Sequence, residues 1–215
     1  MRTNLLNFNQ IFRLFFVLGV ITALFSEPVY SKEKAVVLAF GDSLTAGYGV
    51  KDEESYPSKL QEKISSAGFP HKVVNAGVSG DTTAGGVRRI RWLMKHEPEI
   101  VILALGANDG LRGLSIDEMR KNLEIMITIC REHNAQILLA GMKALPNYGE
   151  DYMREFETVF PELAEKHELI FLPFLLEGVA GKREYTQSDG LHPVASGYNI
   201  ITDLVWQRLK PMLKK

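Results

Sequence analysis

Short, continuously apolar stretches alternate with longer amphipathic ones along residues 35–213. A bounded apolar run of about four to eight residues is typical of a buried strand, and apolar positions recurring every three or four residues indicate a helix. This pattern predicts strands over residues 35–40, 72–77, 100–106, 136–142 and 169–174. Between and after them it predicts helices over residues 56–68, 82–97, 115–134, 150–167 and 193–213.

Local signals place the ends of several of these helices. Gly68 is a stop signal for the first helix, and Pro98 ends the second. Ser115 is expected to cap the third, with Glu118 completing a capping box. Two prolines bear on the last helices: Pro161 is expected to interrupt residues 150–167, and Pro193 to be the first helical residue of the last.

Strands that are apolar throughout and separated by helices indicate a parallel sheet covered on both faces. The sequence therefore predicts an α/β fold, a three-layer α/β/α sandwich around a five-stranded parallel, flavodoxin-like sheet. Its crossovers should be right-handed. Ligands of such sheets bind beyond the carboxyl ends of the strands.

The first residues have a different composition. Residues 1–13 carry Arg2 and Arg13 and no acid, and residues 14–25 are apolar apart from Thr22. A positive start and an apolar stretch of about 7–15 residues are typical of a secretory signal peptide, and a bilayer span needs about 20 apolar residues.

We expect cleavage after Ser31, with cleavage after Ser26 as the alternative. The domain organisation is then a signal peptide over residues 1–31 and one domain over residues 32–215, exported to a bacterial periplasm or secreted, with no stable membrane span after cleavage. The other interpretation is a membrane anchor that stays uncleaved. A lipoprotein anchor is excluded because no cysteine follows the apolar stretch.

Composition narrows the classes of function. With a formal net charge of -1, nothing points to nucleic acid as a partner. The one dense basic cluster, Arg88, Arg89 and Arg91 beside Trp92, is expected to be a solvated helix face. Cys130 is the only cysteine, which excludes an intrachain disulfide, and its apolar surroundings favour a buried, inert thiol. No Cys/His spacing resembles a zinc site, so no metal is expected.

Three glycine-rich polar turns follow the first three predicted strands: GDS at 41–43, NAGVSGD at 75–81 and GANDG at 106–110. Ser43 lies in the first, and a serine hydroxyl needs an adjacent base to act as a nucleophile. Near the carboxyl terminus, Asp189 and His192 are three residues apart, so Asp189 could orient His192 towards Ser43. The alternatives are a turn histidine and a common Asp-Gly turn.

An acyl-transfer site also needs donors for a developing oxyanion. The candidates are the backbone N–H of Ser43, the backbone N–H of Gly80 and the side-chain amide of Asn108. Gly80 could instead be an ordinary loop glycine, and Asn108 could form an Asx turn. The α/β-hydrolase signature G-x-S-x-G does not fit, because Thr45 stands two residues after the serine.

These motifs carry a resemblance. GDSLTAGYG, the glycine in NAGVSGDTTAGG, GANDGLRG and DGLHP resemble the four blocks of the SGNH (GDSL-type) hydrolase superfamily, from about residue 35 to 210. GANDGLRG and ALPNYGEDYMREF are similar to its periplasmic thioesterase/lysophospholipase/arylesterase branch. The resemblance implies Ser43 as nucleophile, His192 as base, Asp189 as its orienting acid, and oxyanion donors at Ser43, Gly80 and Asn108.

The implied activity is hydrolysis of acyl esters or thioesters through an acyl-enzyme, with no cofactor. The implied partner is a small acyl ester or thioester, including lysophospholipid, and we expect a monomer. Alternatives are a carbohydrate O-acetylesterase and a non-catalytic acyl-binding protein. Five loop residues could form an apolar acyl groove or pack ordinarily: Leu111, Leu114, Leu145, Pro146 and Tyr148. Asp109 and Arg112 could set loop closure over the substrate or bond each other.

Overall fold

The sheet has five parallel strands in the order β2-β1-β3-β4-β5, in a computed structural model that describes residues 35–215. The strands are β1 (Ala35–Gly41), β2 (His71–Gly77), β3 (Pro98–Ala104), β4 (Gln136–Ala140) and β5 (Ile170–Leu172). Most side chains of the three central strands are buried on both faces. The predicted five-stranded parallel sheet is confirmed.

Seven α-helices accompany the sheet in the described residues. They are α1 (Ser43–Ala46), α2 (Tyr56–Ser66), α3 (Thr83–Leu93), α4 (Ala107–Leu111), α5 (Ile116–Glu132), α6 (Glu150–Lys166) and α7 (Ala195–Leu209). Short 3-10 turns lie at Asp52–Glu54, Met94–His96, Pro146–Tyr148 and Lys210–Met212. Helix α2 packs against α7, while α3 packs against α5 and α5 against α6. Because the strand order reverses after β2, right-handed crossovers place these two groups of helices on opposite faces.

The strand register brings three turns to one level. Gly41, the last residue of β1, pairs with Gly77 at the end of β2 and with Ala104 at the end of β3. The segments that follow these strands therefore leave the same edge of the sheet, on either side of β1. This edge is where an open α/β sheet binds its ligand.

Several helix signals behave as predicted. Gly68 has a φ of 75°, in the left-handed region, just after α2. The Ser115 hydroxyl accepts a hydrogen bond of 3.3 Å from the backbone N–H of Glu118 at the start of α5. Cys130 is buried in α5, and burial raises the pKa of its thiol to about 12.

Two of the predictions about prolines in helices are wrong. Helix α6 continues through Pro161, which is exposed, because the buried side chains of Phe160 and Leu163 hold the helix against the core. Helix α7 begins at Ala195, since Pro193 pairs with Thr186 in an isolated β-bridge. Helix α3 ends at Leu93, the 3-10 turn over Met94–His96 extends the helical conformation, and Pro98 begins β3, so the helical segment stops before this proline as predicted.

The basic cluster on α3 is only partly solvated. The prediction of a solvated face is wrong for Arg89, whose side chain is 20% exposed, and it is right for Arg88, Arg91 and Trp92, which are exposed. Within residues 35–215, no helix is long and apolar enough to cross a membrane. The predicted signal peptide over residues 1–31 lies outside the described residues.

Candidate active site

Ser43 lies at a sharp corner between β1 and the four-residue helix α1. The buried carboxylate of Asp42 caps this helix, since its Oδ1 accepts a hydrogen bond of 3.0 Å from the N–H of Leu44. A Cβ on Gly41 would lie 2.0 Å from Oγ1 of Thr45, so only glycine allows the chain to turn this tightly. The corner therefore holds the serine at the carboxyl edge of the sheet.

The sequence-predicted serine, histidine and aspartate lie within hydrogen-bonding distance of one another. Nε2 of His192 is 2.9 Å from Oγ of Ser43, and Nδ1 of His192 is 2.6 Å from Oδ2 of Asp189. Because an ionised carboxylate only accepts, Nδ1–H donates to Asp189 and leaves Nε2 free to accept from the serine hydroxyl. This is the arrangement in which an imidazole can remove a serine proton.

Asp189 is held by its own turn. Its Oδ1 accepts hydrogen bonds from the N–H groups of Leu191 at 2.9 Å and His192 at 3.0 Å. Desolvation raises the pKa of this carboxyl, but the bonds from the His192 ring, from these two N–H groups and the nearby imidazole outweigh it and lower the pKa to about 2. Asp189 is therefore charged at neutral pH.

Two residues that the sequence reading missed fix the histidine loop to the serine side. The amide of Gln187 donates hydrogen bonds to the carbonyls of Tyr48 at 2.8 Å and Pro193 at 3.0 Å. The ring centroid of Tyr48 is 4.6 Å from that of His192. Tyr48 belongs to the quoted GYG segment, but no local signal relates it to a residue more than 130 positions away.

The remaining two predicted donors border the same space as Ser43 and His192. Gly80 has a φ of 79°, and the amide nitrogen of Asn108 donates to the carbonyl of Asp81 at 3.0 Å and to Oδ2 of Asp42 at 3.3 Å. Asn108 thus bonds two segments distant in sequence rather than its own loop, which is not the Asx turn weighed as the alternative. These hydrogen bonds link α4 to the residue that follows β1 and to the loop after β2.

Asp42 is the most deeply buried carboxylate of the site. Desolvation raises its pKa to about 6, against the opposing effects of the hydrogen bonds from Leu44 and Asn108 and the electrostatic interaction with His192. Among the described residues, no group of three His, Cys, Asp or Glu side chains could hold a metal ion.

An apolar cavity of about 530 Å³ opens beside Ser43 and His192. Of the five predicted groove residues, Leu111 and Leu145 line it. Leu114 and Tyr148 do not, and the Tyr148 hydroxyl instead donates to the carbonyl of Leu111 at 3.2 Å. The side chain of Pro146 lies outside the described residues. Lining residues that the sequence reading missed include Met142, Ala144, Phe174 and Leu176, which follow β4 and β5.

Asp109 and Arg112 bond different partners rather than each other. The buried carboxylate of Asp109 accepts from the N–H of Thr83 at 2.9 Å and from its hydroxyl at 2.6 Å, and burial raises the pKa of this carboxyl. Arg112 donates to the carbonyl of Gly80 at 2.8 Å. Asp109 therefore connects α4 to the first residue of α3, and Arg112, directly after α4, contacts the loop after β2.

Residues 39–200 match the GDSL-like Lipase/Acylhydrolase family. The chain belongs to this family, and it is a serine ester hydrolase.

The chain is similar to Esterase TesA of Pseudomonas aeruginosa, with 38% identity over 178 residues, covering 82% of this chain and 89% of the relative. It is 34% identical to "Thioesterase 1/protease 1/lysophospholipase L1" of Escherichia coli, covering 97% of this chain and 98% of the relative. A crystal structure of TesA superposes with a TM-score of 0.80 at 37% identity, covering 83% of this chain and 99% of that one.

Proposed function

We propose that the chain cleaves acyl esters or thioesters by transferring the acyl group to Ser43, with His192 as the base and Asp189 as its orienting acid. The observation that carries this proposal is the continuous pair of hydrogen bonds from Ser43 through His192 to Asp189, at 2.9 and 2.6 Å. The first bond is short enough for proton transfer from the serine, and the second is short enough to hold the imidazole in place.

In the first half-reaction Oγ of Ser43 attacks the carbonyl carbon as its proton passes to Nε2 of His192. The tetrahedral intermediate collapses, the bond to the leaving oxygen or sulfur breaks, and His192 returns the proton to that atom. In the second half-reaction a water attacks the acyl-enzyme and gives its proton to His192. Collapse releases the carboxylic acid and restores the Ser43 hydroxyl.

The oxyanion formed in each half-reaction needs donors that are already in place. We assign this role to the N–H groups of Ser43 and Gly80 and the amide of Asn108. Their common position around the cavity supports this assignment. The hydrogen bond to the Asp81 carbonyl holds the amide of Asn108 in place, and its second hydrogen, now directed at Asp42, is the one that we assign to the oxyanion.

The apolar lining of the cavity favours a fatty acyl chain over an acetyl group on a sugar, because a polar, short pocket would suit the latter. Leu111, Leu145, Phe174 and Leu176 are the residues that we expect to contact the chain. The relatives named above include an esterase and a thioesterase/lysophospholipase. We therefore propose aryl and alkyl acyl esters, acyl thioesters and lysophospholipids as the substrate class.

We further propose that residues 1–31 direct export and that the working enzyme is a single domain over residues 32–215. The charged and apolar pattern of residues 1–25 supports this. Sequencing the amino terminus of the exported protein tests it: a chain starting at Lys32 is expected, and a chain still starting at Met1 contradicts cleavage.

Hydrolysis of p-nitrophenyl esters from acetyl to palmitoyl, by the wild type and by Ser43→Ala, tests the activity. We expect turnover that Ser43→Ala reduces by about 10⁶-fold in kcat. We also expect a preference for chains longer than acetyl. An acetyl optimum would favour the O-acetylesterase instead, and turnover unaffected by Ser43→Ala would contradict the proposal.

A further inference from the structure

Arg89 differs from the other arginines of α3. Arg88 and Arg91 are exposed, whereas the Arg89 side chain is 20% exposed and extends towards the ends of β1 and β2. Its guanidinium lies over the Phe40 ring, with Cζ 4.4 Å from the ring centroid. A cluster that looks uniform in sequence thus contains one arginine with a distinct environment.

The guanidinium of Arg89 binds three acceptors from three segments. Nε donates to Oδ2 of Asp81 at 2.7 Å, one terminal nitrogen donates to the carbonyl of Ala76 at 2.6 Å, and the other donates to the carbonyl of Gly41 at 2.7 Å. A planar guanidinium can serve such divergent acceptors at once, whereas a lysine ammonium presents a single nitrogen. The three contacts fix the ends of β1 and β2 and the loop after β2 relative to one another.

Two of the three acceptors are close in sequence to a proposed oxyanion donor. Gly41 lies two residues before Ser43, and Asp81 directly follows Gly80. The backbone carbonyl of Asp81 also accepts the hydrogen bond from the Asn108 amide. Arg89 therefore hydrogen-bonds directly to the segments that carry Ser43 and Gly80, and it is connected to Asn108 through Asp81.

The local sequence makes room for this contact. A Cβ on Gly85 would lie 1.6 Å from Oδ1 of Asp81, so a side chain there would push the Asp81 carboxylate away from Arg89. The first turn of α3 thus accommodates the Asp81 side chain at the position where Arg89 binds it.

We propose that Arg89 is a positioning residue for the oxyanion hole, which it holds at the correct width by binding Gly41, Ala76 and Asp81 simultaneously. This rests on the proposed function, because the donor roles of Ser43, Gly80 and Asn108 are part of that proposal. Arg89 acts through these groups and does not touch the substrate itself. Displacing donors or reacting groups by about 1 Å can cost about 10²-fold in rate, so a group that fixes their spacing affects kcat.

The test compares arginine substitutions on the same helix, in the full chain, with p-nitrophenyl butyrate as substrate. Arg89→Met keeps the apolar stem and removes the donors, and we expect kcat to fall about 10- to 100-fold while KM changes by less than about threefold. Arg89→Lys should recover part of the loss. The matched controls Arg88→Met and Arg91→Met should stay within about twofold of the wild type, since both side chains are exposed.

A double-mutant cycle separates positioning from a purely structural role. If Arg89 acts through Asn108, the loss in Arg89→Met/Asn108→Ala is smaller than the product of the single losses. If Arg89→Met does not fold, Asp81→Asn replaces it in the cycle, because it keeps the Asp81 carbonyl and removes the charge that binds Arg89. We expect Asp81→Asn to lower kcat about three- to tenfold.

Two results would overturn the inference. One is a folded Arg89→Met, by circular dichroism, with a lower melting temperature and a kcat equal to that of Arg88→Met. The other is a fully multiplicative double mutant. Ser43→Ala keeps the two proposals apart: if it retains activity, the proposed function fails, and if it is inactive while Arg89→Met matches the wild type, only the positioning role fails.

Discussion

The amide nitrogen of Asn108 lies 3.3 Å from Oδ2 of Asp42, a carboxylate that is fully buried directly before Ser43. The same nitrogen donates to the carbonyl of Asp81 at the shorter distance of 3.0 Å. Both hydrogens of this amide are thus already donated to protein acceptors before substrate binds. We expect the developing oxyanion to take the hydrogen now directed at Asp42, since that is the longer bond.

The raised pKa of Asp42 predicts a specific dependence of stability on pH. Its value in the folded chain is about 6 and its ordinary value is 3.8, so between these pH values the folded state binds a proton that the unfolded state has lost. Stability from this group is present below about pH 4 and is lost as pH rises to about 6. Asp42→Asn should therefore flatten this change, which is on the order of 3 kcal/mol in the free energy of unfolding. Urea unfolding of both proteins from pH 4 to 7 measures it, and parallel curves would contradict the prediction.

Asn108→Ala should lower kcat by about 10²–10³-fold with little change in KM, because it removes one proposed oxyanion donor, together with its hydrogen bonds to Asp81 and Asp42, and no contact that we assign to the bound substrate. Steady-state kinetics on p-nitrophenyl butyrate measure this. Asn122→Ala is a suitable control, since that amide donates to the Thr83 hydroxyl at 3.2 Å and lies outside the proposed donor set. A near-normal kcat in Asn108→Ala would remove Asn108 from the oxyanion hole.

Asp189→Ala should be less damaging than Ser43→Ala, with a loss in kcat of about 10²–10⁴-fold. The Asp189 side chain is 38% exposed, so water can replace part of the support that it gives the imidazole. Because the pKa of this carboxyl is about 2, it stays charged at neutral pH, and the loss of rate in the variant should be present throughout pH 6 to 9. Rate profiles over that range check it, and a loss equal to that of Ser43→Ala would show that water gives no such support.

Ala180→Trp should shift the preference towards shorter acyl chains. Ala180 is exposed at the wall of the apolar cavity, where an indole would occupy space otherwise open to a long chain. The ratio of kcat/KM for p-nitrophenyl palmitate to that for the butyrate measures the shift, and the short ester is the internal control. An unchanged ratio would indicate that the chain binds elsewhere.

Much of the fold and the candidate site could be predicted from the sequence. Short apolar runs such as residues 35–40 have no alternative to burial, and their carboxyl ends place Ser43, Gly80 and Asn108 at one edge. The local spacing of Asp189 and His192 allowed their contact to be proposed, beside the alternatives of a turn histidine and an Asp-Gly turn. In each case the signal is carried by neighbouring residues.

Features that depend on packing between distant segments could not be predicted. Arg88, Arg89 and Arg91 have similar neighbours in sequence, and only the docking of α3 on the sheet selects Arg89 for the ends of β1 and β2. Pro161 stays helical because the core holds the residues around it. The cavity wall at Phe174 and Leu176 arises from where β5 ends, which apolar patterning locates only to within a few residues.

The central claim, that Ser43 is the acylated nucleophile, is tested most directly by trapping. A p-nitrophenyl alkylphosphonate loses p-nitrophenolate when a serine oxygen attacks its phosphorus, and mass spectrometry of the digested protein locates the adduct. We expect one adduct, on Ser43, that forms with loss of esterase activity and is absent from Ser43→Ala. An adduct on another residue, or complete inactivation with Ser43 unmodified, would contradict it.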